Sequence, residues 1–229
     1  MHKQTTARVT GLLFLTATAA GVLSAVLLGP LDNWYSSQSI ADNAHRITAG
    51  AIMVLVMTLA IAMIPPTLFP VLNKHGEAPA LGYVAARIIE VVLLLPAAIG
   101  PLMMVSISTT QSDAGTPDNA VHLDTVRILT QTYDRWGHAS SLFFFCLGAL
   151  LLNYLLYRSR LVPRWIAGWA LVAVVPYLAD AFLVMFGLLA PSSAFHAILV
   201  SPLALNEMVL AVWLLVKGFS EVARTPRPT

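Results

Sequence analysis

The sequence predicts an all-α membrane protein with six transmembrane helices, and two observations lead to this prediction. The chain of 229 residues is 58% apolar and only 10% charged, and its mean hydropathy is +0.77. Its apolar runs have the length of about 20 residues that a helix needs to cross a hydrocarbon core ~30 Å thick. Such a composition lies outside the range of soluble globular domains.

Six apolar runs give the predicted spans, at about 9–29, 45–64, 81–107, 135–157, 164–190 and 194–217. The chain, residues 1–229, is expected to form one domain, because no linker or low-complexity segment divides it. In the first span Ala17, Gly21 and Ala25 recur every four residues. A stripe of small residues lets another helix approach closely.

The long connection at residues 106–134 is predicted to be an outer loop that carries a short amphipathic helix. Its polar beginning is followed by Thr116-Pro117-Asp118, a typical helix start. An apolar stripe follows, made of Val121, Val126, Leu129 and Tyr133. This helix either packs over the bundle or acts as a lid.

Basic residues near the span ends predict that both termini are cytoplasmic. This orientation places nine Lys and Arg residues inside: Lys3, Arg8, Lys74, Arg158, Arg160, Arg164, Lys217, Arg224 and Arg227. Only Arg46, Arg127 and Arg135 then lie outside.

Four ionisable residues fall inside the predicted spans: Arg87 and Glu90 in the third, Asp180 in the fifth and Glu207 in the sixth. A charge at the bilayer centre costs about 2.5–3.5 kcal/mol, so such residues usually face a partner or a cavity. Arg87 and Glu90 share one helix face, and Tyr83 extends it. These five residues are the candidate site for a ligand or ion.

The balance of charge in this group is one cation against three carboxylates. A low-dielectric interior does not tolerate that excess, so either carboxyls carry protons or an external cation lies among them. Prolines accompany each acid, with Pro96, Pro176 and Pro202 on the same helices. Because a proline inside a span frees a backbone carbonyl, the pattern favours interrupted helices around a central cavity. Protonated carboxyls that only hold the helices together are the structural alternative.

Histidines offer a second candidate site. If a metal or haem is bound, the residues placed to hold it at the outer ends of the spans are His45, His138 and His196. No paired-cysteine or HExxH motif supports such a site, and Cys146 is the single cysteine. No cofactor is therefore favoured. The scattered basic residues also give no nucleic-acid signal.

The chain resembles the bacterial membrane-protein family known as domain of unknown function 4386. The resemblance rests on residues 7–13 (ARVTGLL), 85–90 (AARIIE), 155–159 (LLYRS) with 163–164 (PR), 177–180 (YLAD), Glu207 and 213–218 (WLLVKG). It implies a six-helix protein of a bacterial cytoplasmic membrane, and it implies no substrate.

The sequence is compatible with three classes of function. The preferred one is a membrane protein whose central polar cavity binds a proton, a cation or a small hydrophobic ligand, for transport or sensing. The second is an enzyme, either a redox protein with haem or metal at the histidines or one that uses a carboxyl as general acid on a lipid or isoprenoid. The third is a structural or partner-binding subunit.

Overall fold

A computed structural model describes residues 3–29, 36–114, 120–190 and 193–220, with the side chains of 134–136 outside the description. The helices are α1 (Lys3–Leu28), α2 (Ser37–Asp42), α3 (Ala44–Leu72), α4 (Glu77–Leu94), α5 (Pro96–Asp113), α6 (Ala120–Gln131), α7 (Ser140–Ser159), α8 (Arg164–Met185) and α9 (Ala194–Val216). A 3-10 turn, Asn73–His75, follows α3, and a π-helical segment, Thr132–Ala139, precedes α7.

The predicted all-α fold with six membrane-length helices is confirmed. Six helical stretches are long and apolar enough to cross a membrane: Lys3–Leu28, Ala44–His75, Glu77–Asp113, Gly137–Ser159, Arg164–Met185 and Ala194–Val216. The described residues contain no β-strand. The chain is therefore a multi-pass membrane protein.

The helix ends differ from the predicted spans near several prolines. α3 continues to Leu72 although Pro65, Pro66 and Pro70 lie inside it, since a membrane helix tolerates the loss of single hydrogen bonds. The third span is broken as expected, because α4 ends at Leu94 and α5 begins at Pro96. Pro176 and Pro202, in contrast, lie within unbroken helices. In α9 the hydroxyl of Ser201 donates to the Ile198 carbonyl, the acceptor that Pro202 leaves without its helical N–H.

The long connection at residues 106–134, predicted to be an outer loop, is more helical than expected. Residues 106–113, read as polar loop, belong to α5, where the hydroxyls of Thr109 and Thr110 donate to carbonyls one turn earlier. The predicted start at Thr116-Pro117-Asp118 lies outside the described residues. The short helix exists as α6, but Val121 is 75% exposed and is not part of its buried stripe. The buried face instead includes His122, whose Nε2 lies 2.7 Å from the Ser37 hydroxyl.

Six helices form a closed ring in the order α1, α3, α4, α7, α8, α9, with α9 packing again on α1. The side chain of Gln4 donates to the Phe219 carbonyl, so the beginning of α1 and the end of α9 lie at the same end of the ring. A core cluster that includes Leu72, Leu155 and Leu214 fills this end. A second cluster that includes Leu28, Ile47, Met104 and Val126 fills the opposite end.

The contact between α1 and α9 depends on Gly11. A Cβ at this position would lie 2.6 Å from the backbone carbonyl oxygen of Ala211 and 2.8 Å from Leu215 Cγ. Of the predicted small-residue stripe, Ala17 is buried and Gly21 faces Met57 of α3, whereas Ala25 is exposed. The close approach to α9 therefore lies one turn or more before that stripe.

We expect Gly11→Ala to destabilise the bundle and Gly168→Ala not to do so. Both changes add the same methyl group to a helix interior, where alanine is intrinsically better by about 1 kcal/mol. At Gly168 the added Cβ would meet Tyr157 at an ordinary 3.7 Å, whereas at Gly11 overpacking costs about 1–3 kcal/mol. Thermal unfolding of the purified full chain in detergent tests this. Equal stability of the two variants would contradict it.

Candidate functional site

The centre of the site is a buried ion pair on α4. Nη1 of Arg87 donates to both carboxylate oxygens of Glu90, at 2.9 and 2.8 Å. The two residues are three positions apart, and their side chains are only 2% and 4% exposed. One turn of α4 therefore supplies a cation and its counter-ion, as predicted from the spacing.

Glu207 brings a second carboxylate to the same cation from α9. Its Oε1 lies 3.6 Å from Arg87 Nη2, and its side chain is 22% exposed. That distance is longer than a hydrogen bond. Arg87 thus neutralises Glu90 at close range and Glu207 only in part.

Residues of α7 and α4 shape the pocket for the guanidinium. The Cζ of Arg87 lies 5.2 Å from the centre of the Phe145 ring and 5.8 Å from that of Tyr83, within the range of a cation–π interaction. Gly148 lies beside the aliphatic part of Arg87, because a Cβ there would be 3.4 Å from Arg87 Cδ. Phe145 and Gly148 are not predictable from the sequence as site residues, since neither belongs to a charged pattern.

A cavity of about 270 Å³ lies within the ring, and all six ring helices contribute to its wall. Most of the wall is apolar. Its polar residues are Thr18, Arg87, Glu90, His138, Ser141, Tyr177 and Glu207. Tyr177 also packs on Phe145 with the ring centres 5.0 Å apart, which ties α8 to α7 beside the cavity.

Glu207 lies deep in the membrane. It is nine residues from Val216, where α9 ends, and so about 14 Å along the axis at a rise of 1.5 Å per residue. A hydrocarbon core is ~30 Å thick, so this carboxylate lies near its middle. At this depth Glu207 forms part of the cavity wall.

Asp180 does not belong to this group. It is fully buried on α8, and its Oδ1 lies 2.9 Å from Nδ1 of His196 on α9. Its other oxygen, Oδ2, has no hydrogen-bond partner in the part of the chain that the structure describes. Of the five predicted site residues, Arg87, Glu90 and Glu207 line the cavity, Tyr83 packs behind them and Asp180 forms a separate pair.

The three candidate metal-binding histidines lie in different surroundings. His45 is exposed at the start of α3, His138 Nδ1 lies 2.9 Å from the Tyr133 carbonyl, and His196 pairs with Asp180. Among the described residues no three His, Cys, Asp or Glu side chains are grouped as metal ligands. The structure therefore does not bring these histidines into one ligand set.

Comparison with known proteins gives one family. A family model described as domain of unknown function (DUF4386) matches residues 9–218. No curated protein and no solved structure is similar to the chain.

Arg87→Met is expected to destabilise the protein by about 3–5 kcal/mol, because it leaves Glu90 as a buried charge without its partner. The double variant Arg87→Met with Glu90→Met should recover most of that loss, since apolar residues of similar volume can replace a buried pair. Chemical denaturation of the purified variants measures both effects.

Arg127→Met is the matched control. Arg127 has its acid Asp124 at the same i,i+3 spacing, at 3.9 Å, but both side chains are more than 70% exposed. An exposed pair contributes only about 0–1 kcal/mol. A double variant that is no more stable than Arg87→Met would contradict the role of the pair.

Proposed function

The chain belongs to the DUF4386 family, and from its site we propose that it binds a small organic cation in the central cavity, with Glu207 as the acceptor. A proton on Glu207 is the competing occupant. Binding of this kind serves transport or sensing. The observation that carries the proposal is the incomplete neutralisation of Glu207 at the cavity wall.

The charges favour a cation over an anion. Arg87 and Glu90 form a neutral pair through two short contacts, so the carboxylate of Glu207 is the excess charge that faces the cavity. A charged group at this depth is stable only with a partner. A proton or a cationic ligand supplies that partner, whereas an anion would add a second negative charge.

The cavity favours a small ligand with an apolar body. Its 270 Å³ is slightly below the ~300–1,000 Å³ of pockets for drug-sized ligands. Its wall combines apolar side chains with Phe14, Phe145 and Tyr177, and aromatic rings beside a carboxylate are typical of sites for organic ammonium ions. An alkylammonium ion of a few carbons fits this chemistry and size.

Glu207→Gln should weaken binding of n-butylammonium at least tenfold, because it removes the charge that attracts the ammonium group. Isothermal titration of the full chain in detergent measures the affinity, with butyrate at equal ionic strength as the probe of opposite charge. Wild-type binding should weaken as the pH falls, since a protonated Glu207 is neutral, and the Gln variant should not show this dependence.

Glu77→Gln provides the control for this experiment. Glu77 is exposed at the start of α4, so its replacement removes one negative charge away from the cavity and should leave binding unchanged. Both variants keep the Arg87–Glu90 pair and should unfold near the wild-type temperature. Equal affinity of Glu207→Gln and the wild type for n-butylammonium would refute the proposal.

The membrane and the orientation form part of the proposal. We place the protein in a bacterial cytoplasmic membrane with both termini in the cytoplasm. In support, the described Lys3, Lys74, Arg160 and Arg164 cluster at the end of the ring where α1 begins and α3 ends. The predicted inside residues Arg224 and Arg227 lie outside the described chain.

Single-cysteine labelling tests this orientation. In a Cys146→Ala background, Asp124→Cys on α6 and Lys74→Cys after α3 both offer exposed positions. A membrane-impermeant maleimide added to intact spheroplasts should label Asp124→Cys, and it should label Lys74→Cys only after lysis. The reverse pattern would invert the topology.

A further inference from the structure

At the end of the ring where α8 ends and α9 begins, the apolar core of the described residues does not extend to all six ring helices. The core cluster at this end is built from α1 to α6, and no residue of α8 or α9 belongs to it within the described chain. At this end of α8 and α9 the buried charged residue of the described chain is Asp180, and its partner His196 is partly exposed. A polar pair thus occupies the part of this end that the apolar core leaves out.

This pair connects an exposed position with a buried one. The His196 side chain is 25% exposed, and the Asp180 side chain is 0% exposed, with 2.9 Å between Nδ1 and Oδ1. His196 lies in the first turn of α9, next to the membrane surface. Asp180 lies five residues before Met185, the end of α8, so about 8 Å along the helix.

Tyr177 connects Asp180 with the cavity along α8. It lies three residues before Asp180 on α8, and residues at this spacing have Cβ atoms about 5–6 Å apart on one face. Tyr177 is also part of the cavity wall, together with Glu207 and His138. Along α9 itself, His196 and Glu207 are eleven residues apart, or about 16 Å, too far for direct transfer of a proton.

We propose that His196 and Asp180 form a proton relay that links this membrane surface to Glu207 in the cavity. The relay rests on the proposed function, because it supplies the proton that competes with the cation at Glu207. It assigns a role to a buried acid that neither the cation site nor the packing of the apolar core uses.

Each step of the relay conserves charge and protons. A neutral His196 whose Nδ1–H donates to the Asp180 carboxylate takes up a proton from water at Nε2. The Nδ1 proton then moves to Asp180, which leaves a neutral imidazole and a neutral carboxyl. This proton then passes through the cavity beside Tyr177 to the Glu207 carboxylate, which becomes neutral, and Asp180 becomes a carboxylate again. The imidazole exchanges its ring protons with water and returns to the starting tautomer.

Other titratable groups lie near this path and affect its electrostatic potential. They are Tyr177 on α8, Glu207 on α9, Cys146 on α7, His138 in the π-helical segment and, farther along the cavity wall, Glu90 on α4. His138 Nδ1 is engaged with the Tyr133 carbonyl, and the Glu90 carboxylate is held by Arg87. Glu207 is therefore the acceptor with an oxygen that faces the cavity and is only partly neutralised.

The test follows the arrival of a proton at Glu207 after a light-induced pH jump, by time-resolved infrared spectroscopy of the full chain in lipid nanodiscs. The carboxyl band that is lost in Glu207→Gln identifies Glu207. We expect this band to rise at least tenfold more slowly in Asp180→Asn and in His196→Gln, with the same final amplitude as in the wild type. In the control Asp124→Asn, which changes an exposed acid of α6, the Glu207 band should rise at the wild-type rate.

The outcomes separate the relay from a structural role and from the proposed function. A Glu207 band that rises at the wild-type rate in both Asp180→Asn and His196→Gln overturns the relay, while n-butylammonium binding still decides the cation site. A smaller final amplitude at an unchanged rate also overturns it, because the pair then only holds the helices in place. If Asp180→Asn does not fold, His196→Gln alone decides. If the wild type shows no Glu207 band, the relay is overturned. If the wild type also does not bind n-butylammonium, the cation site is overturned as well.

Discussion

The buried guanidinium of Arg87 is the charge on which the arrangement of the polar interior depends. A cation at this depth needs counter-charges and close packing, since water cannot solvate it. Glu90 supplies the short contacts from the same helix, and Glu207 reaches it from α9. On α7, Phe145 places its aromatic ring next to the guanidinium, and Gly148 leaves space for the aliphatic part of Arg87. One side chain therefore fixes how α4, α7 and α9 face one another.

The three acids of the membrane interior differ because their partners differ. Glu90 is bound to Arg87 through both oxygens. Asp180 has a histidine partner at the end of α8. Glu207 shares a cation that is already engaged, and it faces a cavity. The same chemical group thus has three different environments, which differ in how completely its charge is balanced.

Local geometry made much of the architecture predictable. The six spans follow from the length of the apolar runs, and the contact of Arg87 with Glu90 follows from their i,i+3 spacing on one helix. Helix ends were less predictable: α3 passes through Pro65 and Pro66, and the polar start of the long connection is helical. In both places backbone or side-chain hydrogen bonds within the helix offset a weak local preference, which a residue-by-residue pattern does not show.

The sequence by itself determined the all-α class, the number of membrane-length helices and the presence of buried charges, because each depends on composition or on neighbours along the chain. Only the tertiary structure decided that Glu207 joins Arg87, that Asp180 joins His196 instead and that the cavity lies inside the ring. In a soluble helix the apolar stripe marks the buried face. Here Leu59 and Val172 are as apolar as the core and yet 65% and 72% exposed. Lipid removes the contrast that would reveal which faces meet.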